Sequence, residues 1–221
     1  MPSISFNRAT KGLIFLTALC SIFIIGRILL KGNIKYSFLS WNLFLAWIPL
    51  ILAQISYHAV KQNYRLLAYL MLFLWLLFFP NAPYIITDLL HLKGYSQNIL
   101  WFDSLLVFTF AVTGLLIGLS SLSIVHQSLE LMLGKVQAWS AVISSVILLG
   151  FGIYLGRYCR LNSWDLFNEP LWFARRVLHQ FKNPMAFKLT STYGFVILGF
   201  YLAYRNFGPT QNTETKQIQL K

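Results

Sequence analysis

Acidic residues are scarce in this sequence: it has six aspartates and glutamates against 18 lysines and arginines, a net charge of +12 over 221 residues. Charged residues of both signs make up 11% of the chain, whereas a soluble domain carries roughly 25%. No motif that recognises DNA or RNA accompanies the positive charge, so no nucleic-acid partner is expected. Basic residues that flank apolar runs instead fix membrane topology and hold anionic head groups, so the expected partners are membrane lipids.

Cysteine is equally sparse. Cys20 and Cys159 lie in or beside apolar runs without CxxC-like spacing, so the sequence supports neither a disulfide framework nor a zinc site. The sequence points to no particular cofactor or oligomeric state. At the N-terminus, Arg8 and Lys11 precede an apolar run that reaches Leu30 without a small-residue cleavage site, so an uncleaved first span is expected.

Apolar side chains dominate the composition of the chain. Apolar residues make up 57% of the chain, and the mean hydropathy is +0.62. This predicts an all-α polytopic transmembrane bundle of about six spans. A single transmembrane domain is expected over residues 1–208, followed by a disordered tail at 209–221. The predicted spans are 12–30, 39–59, 66–92, 101–125, 136–154 and 188–204, with an interfacial helix at 166–182.

The third span is unusual, since its apolar run of 66–79 covers only about 21 Å at 1.5 Å per residue. A hydrocarbon core is about 30 Å thick, so the span must continue inward through Pro80-Asn81-Ala82-Pro83. We predict a helix broken at Pro80 to Pro83, with Asn81 capping its second half. Tyr84, Asp88 and His91 would then share one face of that half.

Two weaker patterns concern helix packing. Gly114 and Gly118 form a small-xxx-small pair in the fourth span, which predicts a close helix contact. Between residues 166 and 182, the mixture of apolar and basic side chains is too polar for a membrane span and suits a helix that lies in the membrane interface.

Counting six spans brings the loop between spans 3 and 4 and the loop between spans 5 and 6 to the same membrane face. Polar residues from both stretches are therefore expected to converge at one mouth of the bundle. The predicted ligand-binding residues are Asn81, Tyr84, Asp88, His91, Asp103, Arg157, Arg160, Asn162 and Asp165.

Several roles suit such a cluster. Asp88, His91 or Asp103 could act in acid-base catalysis while Arg157 or Arg160 stabilises an anion. The same three residues, Asp88, His91 and Asp103, are weak candidates for a divalent metal site. The arginines could instead hold an anion or lipid head group, or aspartates and arginines could only pair helix ends.

Other polar residues are expected to be incidental. His58, His126 and His179 lack nearby carboxylates in the sequence and are predicted to be solvated. Arg27, near the end of span 1, is predicted to reach for the interface. Ser163 lacks the glycine pattern of a nucleophile elbow.

Four stretches carry a family resemblance: residues 41–49 (WNLFLAWIP), residues 80–92 (PNAPYIITDLLHL), Trp101-Phe102-Asp103, and residues 156–165 (GRYCRLNSWD). Together they resemble a bacterial integral membrane family known as domain of unknown function 1361. The resemblance implies a polytopic protein of the bacterial inner membrane and supplies no activity. The leading hypothesis is that the cluster binds a polar or anionic ligand or lipid head group. An enzyme at the membrane and a purely structural protein are the alternatives. We expect cytoplasmic termini and an outward-facing cluster.

Overall fold

The computed structural model of the protein describes residues 8–92 and 99–207. Within them the chain consists of helices joined by short loops and has no strand, and six helices are long and apolar enough to cross a membrane. The predicted all-α bundle of six spans is confirmed. The helices are α1 (Arg8–Lys31), α2 (Ser37–Lys61), α3 (Arg65–Phe78), α4 (Asn81–Tyr84), a 3-10 helix (Ile85–Leu92), α5 (Leu100–Leu133), α6 (Lys135–Tyr158), α7 (Asp165–Asn168), α8 (Pro170–Gln180) and α9 (Pro184–Phe207).

The fourth span, α5, is longer than predicted. A polar loop was expected from residue 126, but the helix continues to Leu133 because the polar side chains there have partners inside the bundle. It ends at Gly134, whose φ of 85° favours glycine and whose N–H still donates to the carbonyl of Glu130. Since α6 begins at Lys135, a single residue joins the two spans.

The third span continues through its prolines with only a small irregularity. Phe79 and Pro80 both keep right-handed helical angles, and the N–H of Tyr84 donates to the carbonyl of Pro80. The predicted break is a two-residue interruption between α3, which ends at Phe78, and α4, which begins at Asn81, and the second half is mostly 3-10 rather than α-helical. Asn81 does not cap this half, because its amide donates to the carbonyl of Phe78.

The predicted interfacial helix at 166–182 is two helices, α7 and α8, that meet at Glu169. Glu169 has a non-helical ψ of 70°, and Pro170 begins α8 because a proline at the first helical position forfeits no hydrogen bond. The predicted tail at 209–221 lies outside the described residues.

Helix α5 lies at the centre of the bundle and is its most buried span. It contacts α1, α2 and α4 on one side and α6 and α9 on the other. The predicted close contact at Gly114 is confirmed, since a Cβ there would lie 2.6 Å from the carbonyl oxygen of Ala82. The polar stretches that follow the third and fifth spans lie on the same membrane face. The helix ends at residues 8 and 207 lie on the other face, because the number of spans is even.

Candidate functional site

A pocket of about 580 Å³ opens between the two groups of helices that flank α5. Its walls come from the first turns of α2, the end of α3 with α4, the second half of α6, and α8. The polar lining residues are Asn42, Asn81, Tyr84, Asp88, Arg157, Asn162 and Ser163.

Two glycines of α6 bring the third span close enough to form this pocket. A Cβ on Gly152 would lie 2.4 Å from Cγ of Pro80, and a Cβ on Gly156 would lie 3.0 Å from the Tyr84 ring. Their absent side chains therefore let the proline-containing turn lie directly on α6. The chain then continues into the 3-10 helix and places Asp88 at the pocket wall.

Asp88 is the buried charge of the site, with a side chain that is 2% exposed. Its Oδ2 accepts a hydrogen bond from the Asn42 amide over 2.9 Å, and its Oδ1 lies 3.4 Å from Nη1 of Arg157. Arg157, 69 residues further along the chain, has a side chain that is 19% exposed. The two polar stretches therefore meet at one face, as the span count predicts.

A second set of hydrogen bonds fixes the loop after α6 against the third span. The Asn81 amide donates to the Ser163 hydroxyl over 3.2 Å, and that hydroxyl donates to the carbonyl of Leu77 over 2.9 Å. Carbonyls freed near a proline need such donors in a membrane. Ser163 thus supports the wall by joining the loop after α6 to the third span.

Asp103 does not join this cluster. It is fully buried, and its carboxylate accepts hydrogen bonds from the guanidinium of Arg27 and, over 3.1 Å, from the hydroxyl of Tyr36. The prediction that Arg27 reaches for the interface was wrong, since Arg27 is only 6% exposed. The separate pair exists because α1 and α5 pack together, a contact between residues 76 apart that no local pattern indicates.

The remaining candidates, Arg160, Asn162 and Asp165, come from the loop after α6 and differ in whether they line the pocket. Asn162 lines the pocket. Asp165 accepts a hydrogen bond from the backbone N–H of Asn162 over 2.7 Å and holds the turn, without lining the pocket. Arg160 is exposed at a left-handed φ of 55° and also lies away from the lining.

The metal hypothesis finds no support in the described part of the chain, where no three His, Cys, Asp or Glu residues gather. Asp88 and Asp103 lie in different clusters with different partners. The His91 side chain lies outside the described residues.

Residues 41–200 match the family described as "Protein of unknown function (DUF1361)". The chain belongs to this family. No curated protein and no solved structure matches it. The DUF1361 match covers α2 to most of α9, so every pocket residue named above lies within it. Arg27, the partner of Asp103, lies before the matched range.

Sequence reasoning missed Asn42, although the amide stands alone among the apolar residues at the start of span 2. Its isolation is a usable signal, because a polar group at that depth requires a partner. Asn42 is also within the first of the four stretches that carry the family resemblance.

A second buried polar cluster lies at the opposite membrane face. His126 is 1% exposed, its Nδ1 accepts from Arg205 over 2.6 Å, and its Nε2 lies 3.3 Å from Glu130. The Tyr201 hydroxyl also lies 2.8 Å from Nδ1, and the Trp139 ring packs edge-on against the imidazole. The prediction that His126 is solvated was wrong. Its carboxylate partner, four residues on, lies on the same helix face, which the expected loop concealed.

Proposed function

We propose that this protein binds a polar or anionic ligand, either a free anion or a lipid head group, in the pocket beside Asp88 and Arg157. The observation that carries the proposal is that these two charges, from distant stretches, line one open pocket, whereas the pair of Arg27 and Asp103 and the cluster around His126 do not line it. Ionisable groups at membrane depth are costly and mark ligand sites more often than chance.

The chemistry of the pocket supports an anionic or hydroxyl-rich group. The guanidinium of Arg157 is planar and presents several donors, which suits a phosphate or carboxylate. The amide of Asn42 also lines the pocket and donates to Asp88, so it holds the carboxylate in place beside the guanidinium. Because hydrocarbon forms most of the remaining wall, these polar contacts operate in a low local dielectric and are stronger than in water.

An acid-base enzyme is less well supported. The Asp88 side chain is 2% exposed and both of its oxygens already face donors, which leaves little access for a substrate proton. Asp103 is buried in its pair with Arg27. The catalytic hypothesis therefore depends on Asp88 and His91 alone.

The proposal is tested by thermal unfolding of the purified protein in detergent with four probes: inorganic phosphate, glycerol phosphate, phosphatidylglycerol and phosphatidylethanolamine. A ligand at a hundred times its Kd adds about 2.7 kcal/mol of stability. We expect at least one probe to stabilise the wild type and to lose this effect in Arg157→Ala. Arg176→Ala, a change of the same charge on the exposed side of α8, should keep it.

Two outcomes would contradict the proposal. One is that no probe stabilises the wild type while Asp88→Asn and Arg157→Ala both lower its stability, as expected if the charges only pair helix ends. The other is that the stabilisation survives in Asp88→Asn and in Arg157→Ala.

We further propose that the protein resides in a bacterial plasma membrane with the pocket facing outward. The basic residues Arg8 and Lys11 at the start of α1 support cytoplasmic termini. In a variant lacking Cys20 and Cys159, a cysteine at the exposed Asn168 should react with an impermeant maleimide on intact cells. A cysteine at the exposed Asn63, on the opposite face, should react only after lysis. The reverse pattern would place the pocket in the cytoplasm.

A further inference from the structure

The pocket continues from its charged end into the depth of the membrane. Leu148 lines it together with Arg157, and both belong to α6. Nine residues separate them, so the lining extends about 14 Å along the helix axis at 1.5 Å per residue. Leu148 lies near the middle of α6, at the depth of the hydrocarbon core.

The lining changes character along this length. Near Arg157 it holds amides, a hydroxyl and the two charges, whereas toward Leu148 it consists of side chains such as Leu45, Leu76 and Phe151. A small polar anion could occupy only the upper part, because the lower part offers it no donor or acceptor. The whole pocket therefore suits a molecule with one polar end and one hydrocarbon end.

The rim of the pocket is also apolar. Trp41, Leu148 and Phe181 line it while remaining 55%, 50% and 69% exposed, respectively. Exposed aromatic and aliphatic groups of this size at the level of a membrane span contact acyl chains rather than water. The opening at Leu148 thus faces the bilayer.

Helix α8 closes the pocket from the interface. Phe173 and Val177 point inward and line it, while Arg175 and Arg176 are exposed on the outer side of the same helix. A basic outer side and an apolar inner side suit a helix at the membrane interface. Phe181, directly after α8, stacks on Phe151 of α6 with ring centroids 5.1 Å apart, so this end of α8 covers the pocket as far down as Phe151.

We infer that the ligand is a membrane lipid that reaches the pocket sideways from the bilayer, with its polar head at Arg157 and an acyl chain along α6 toward Leu148. This inference rests on the proposed function and narrows it. The shared chemistry of the polar end is an anionic oxygen group, and the acyl chain distinguishes a lipid from a free anion.

The experiment measures the stabilisation of the detergent-purified protein by phosphatidylglycerol and by glycerol phosphate, which has a related polar end without the chains. We expect phosphatidylglycerol to stabilise and glycerol phosphate neither to stabilise nor to compete. Leu148→Trp should fill the lower pocket and weaken the apparent Kd for phosphatidylglycerol roughly tenfold, equivalent to about 1.4 kcal/mol. Ile147→Trp is the matched control, since Ile147 is 51% exposed and does not line the pocket.

A second measurement covers the case in which Leu148→Trp does not fold. Wild-type protein is irradiated with phosphatidylglycerol that carries a diazirine in its acyl chain, and the adducts are mapped by mass spectrometry. We expect adducts at residues 148–152 that excess unlabelled phosphatidylglycerol removes. Adducts there that do not compete would overturn the inference.

The outcomes separate the two proposals. If glycerol phosphate stabilises as well as the lipid and Arg157→Ala abolishes both effects, the proposed function holds and the lipid inference fails. If phosphatidylglycerol stabilises Arg157→Ala as well as wild type, both fail.

Discussion

The pair of Arg27 and Asp103 should be among the most sensitive polar contacts of the bundle. Asp103 is completely buried and Arg27 is 6% exposed. The described structure gives Arg27 hydrogen bonds from Nε and Nη2 to this carboxylate and no partner for Nη1. Asp103→Asn keeps the shape of the side chain but leaves a buried guanidinium without its counter-charge.

The expected loss follows from burial. Breaking a buried ion pair on one side costs about 3–5 kcal/mol. For a chain of this length, each kcal/mol lowers the unfolding temperature by about 2–4 °C, so Asp103→Asn should unfold roughly 6–20 °C earlier. The assay is thermal unfolding in detergent, followed by the fraction that remains monodisperse. Glu169→Gln removes a negative charge from an exposed position and should shift stability by less than about 0.5 kcal/mol.

A double substitution tests whether the loss comes from the unpaired charge. Arg27→Met combined with Asp103→Leu removes both charges and fills similar volumes, so it should recover most of the stability that Asp103→Asn loses. The reasoning is refuted if Asp103→Asn unfolds with the wild type, or if the double variant loses as much as the two single changes added together.

The other predictions concern packing and the second polar cluster. Gly152→Ala should destabilise by about 1–3 kcal/mol in the same assay, because its Cβ would lie 2.4 Å from the Pro80 ring, whereas Gly199→Ala, with nothing within 4 Å, should not. Equal effects of the two would show that the close approach carries no energy. His126→Phe should cost about 1–3 kcal/mol by removing the imidazole that both the buried Tyr201 hydroxyl and Arg205 contact, while the exposed His179→Phe should be neutral. A neutral His126→Phe would show that the cluster contributes no stability.

The fold could be predicted largely because lipid imposes a simple rule on the chain. Spans must be long and apolar, so their number and approximate limits follow from the hydropathy pattern. The rule did not predict where α5 ends, because His126 and Glu130 resemble loop residues in the sequence. Their polar side chains are accommodated in the helix because α9 supplies Tyr201 and Arg205 as partners. A polar residue in a membrane helix is thus misjudged when its partner is remote in sequence.

The site was predictable in part for a related reason. Parity of the spans brings Asp88 and Arg157 to one face, but it cannot say which neighbours touch. Asp103 lies at the same membrane face, yet it packs against α1. Asn42 contributes to the site from α2, but it is uncharged and so gives no strong signal in the sequence. Lateral position around the bundle depends on which helices pack together, and hydropathy carries no information about that.

The glycines of α6 have a mechanical consequence. Gly150 and Gly152 lie on nearly opposite sides of one turn, and a Cβ on them would lie 2.5 Å from the carbonyl oxygen of Thr190 and 2.4 Å from Pro80, respectively. Helix α6 therefore packs directly against the main chain of α9 on one side and the proline ring of the third span on the other, with no side chain of its own between them. Helix α6 therefore forms a fixed wall of the pocket. We expect any change in pocket width to come from the other walls, which α2 and α8 supply.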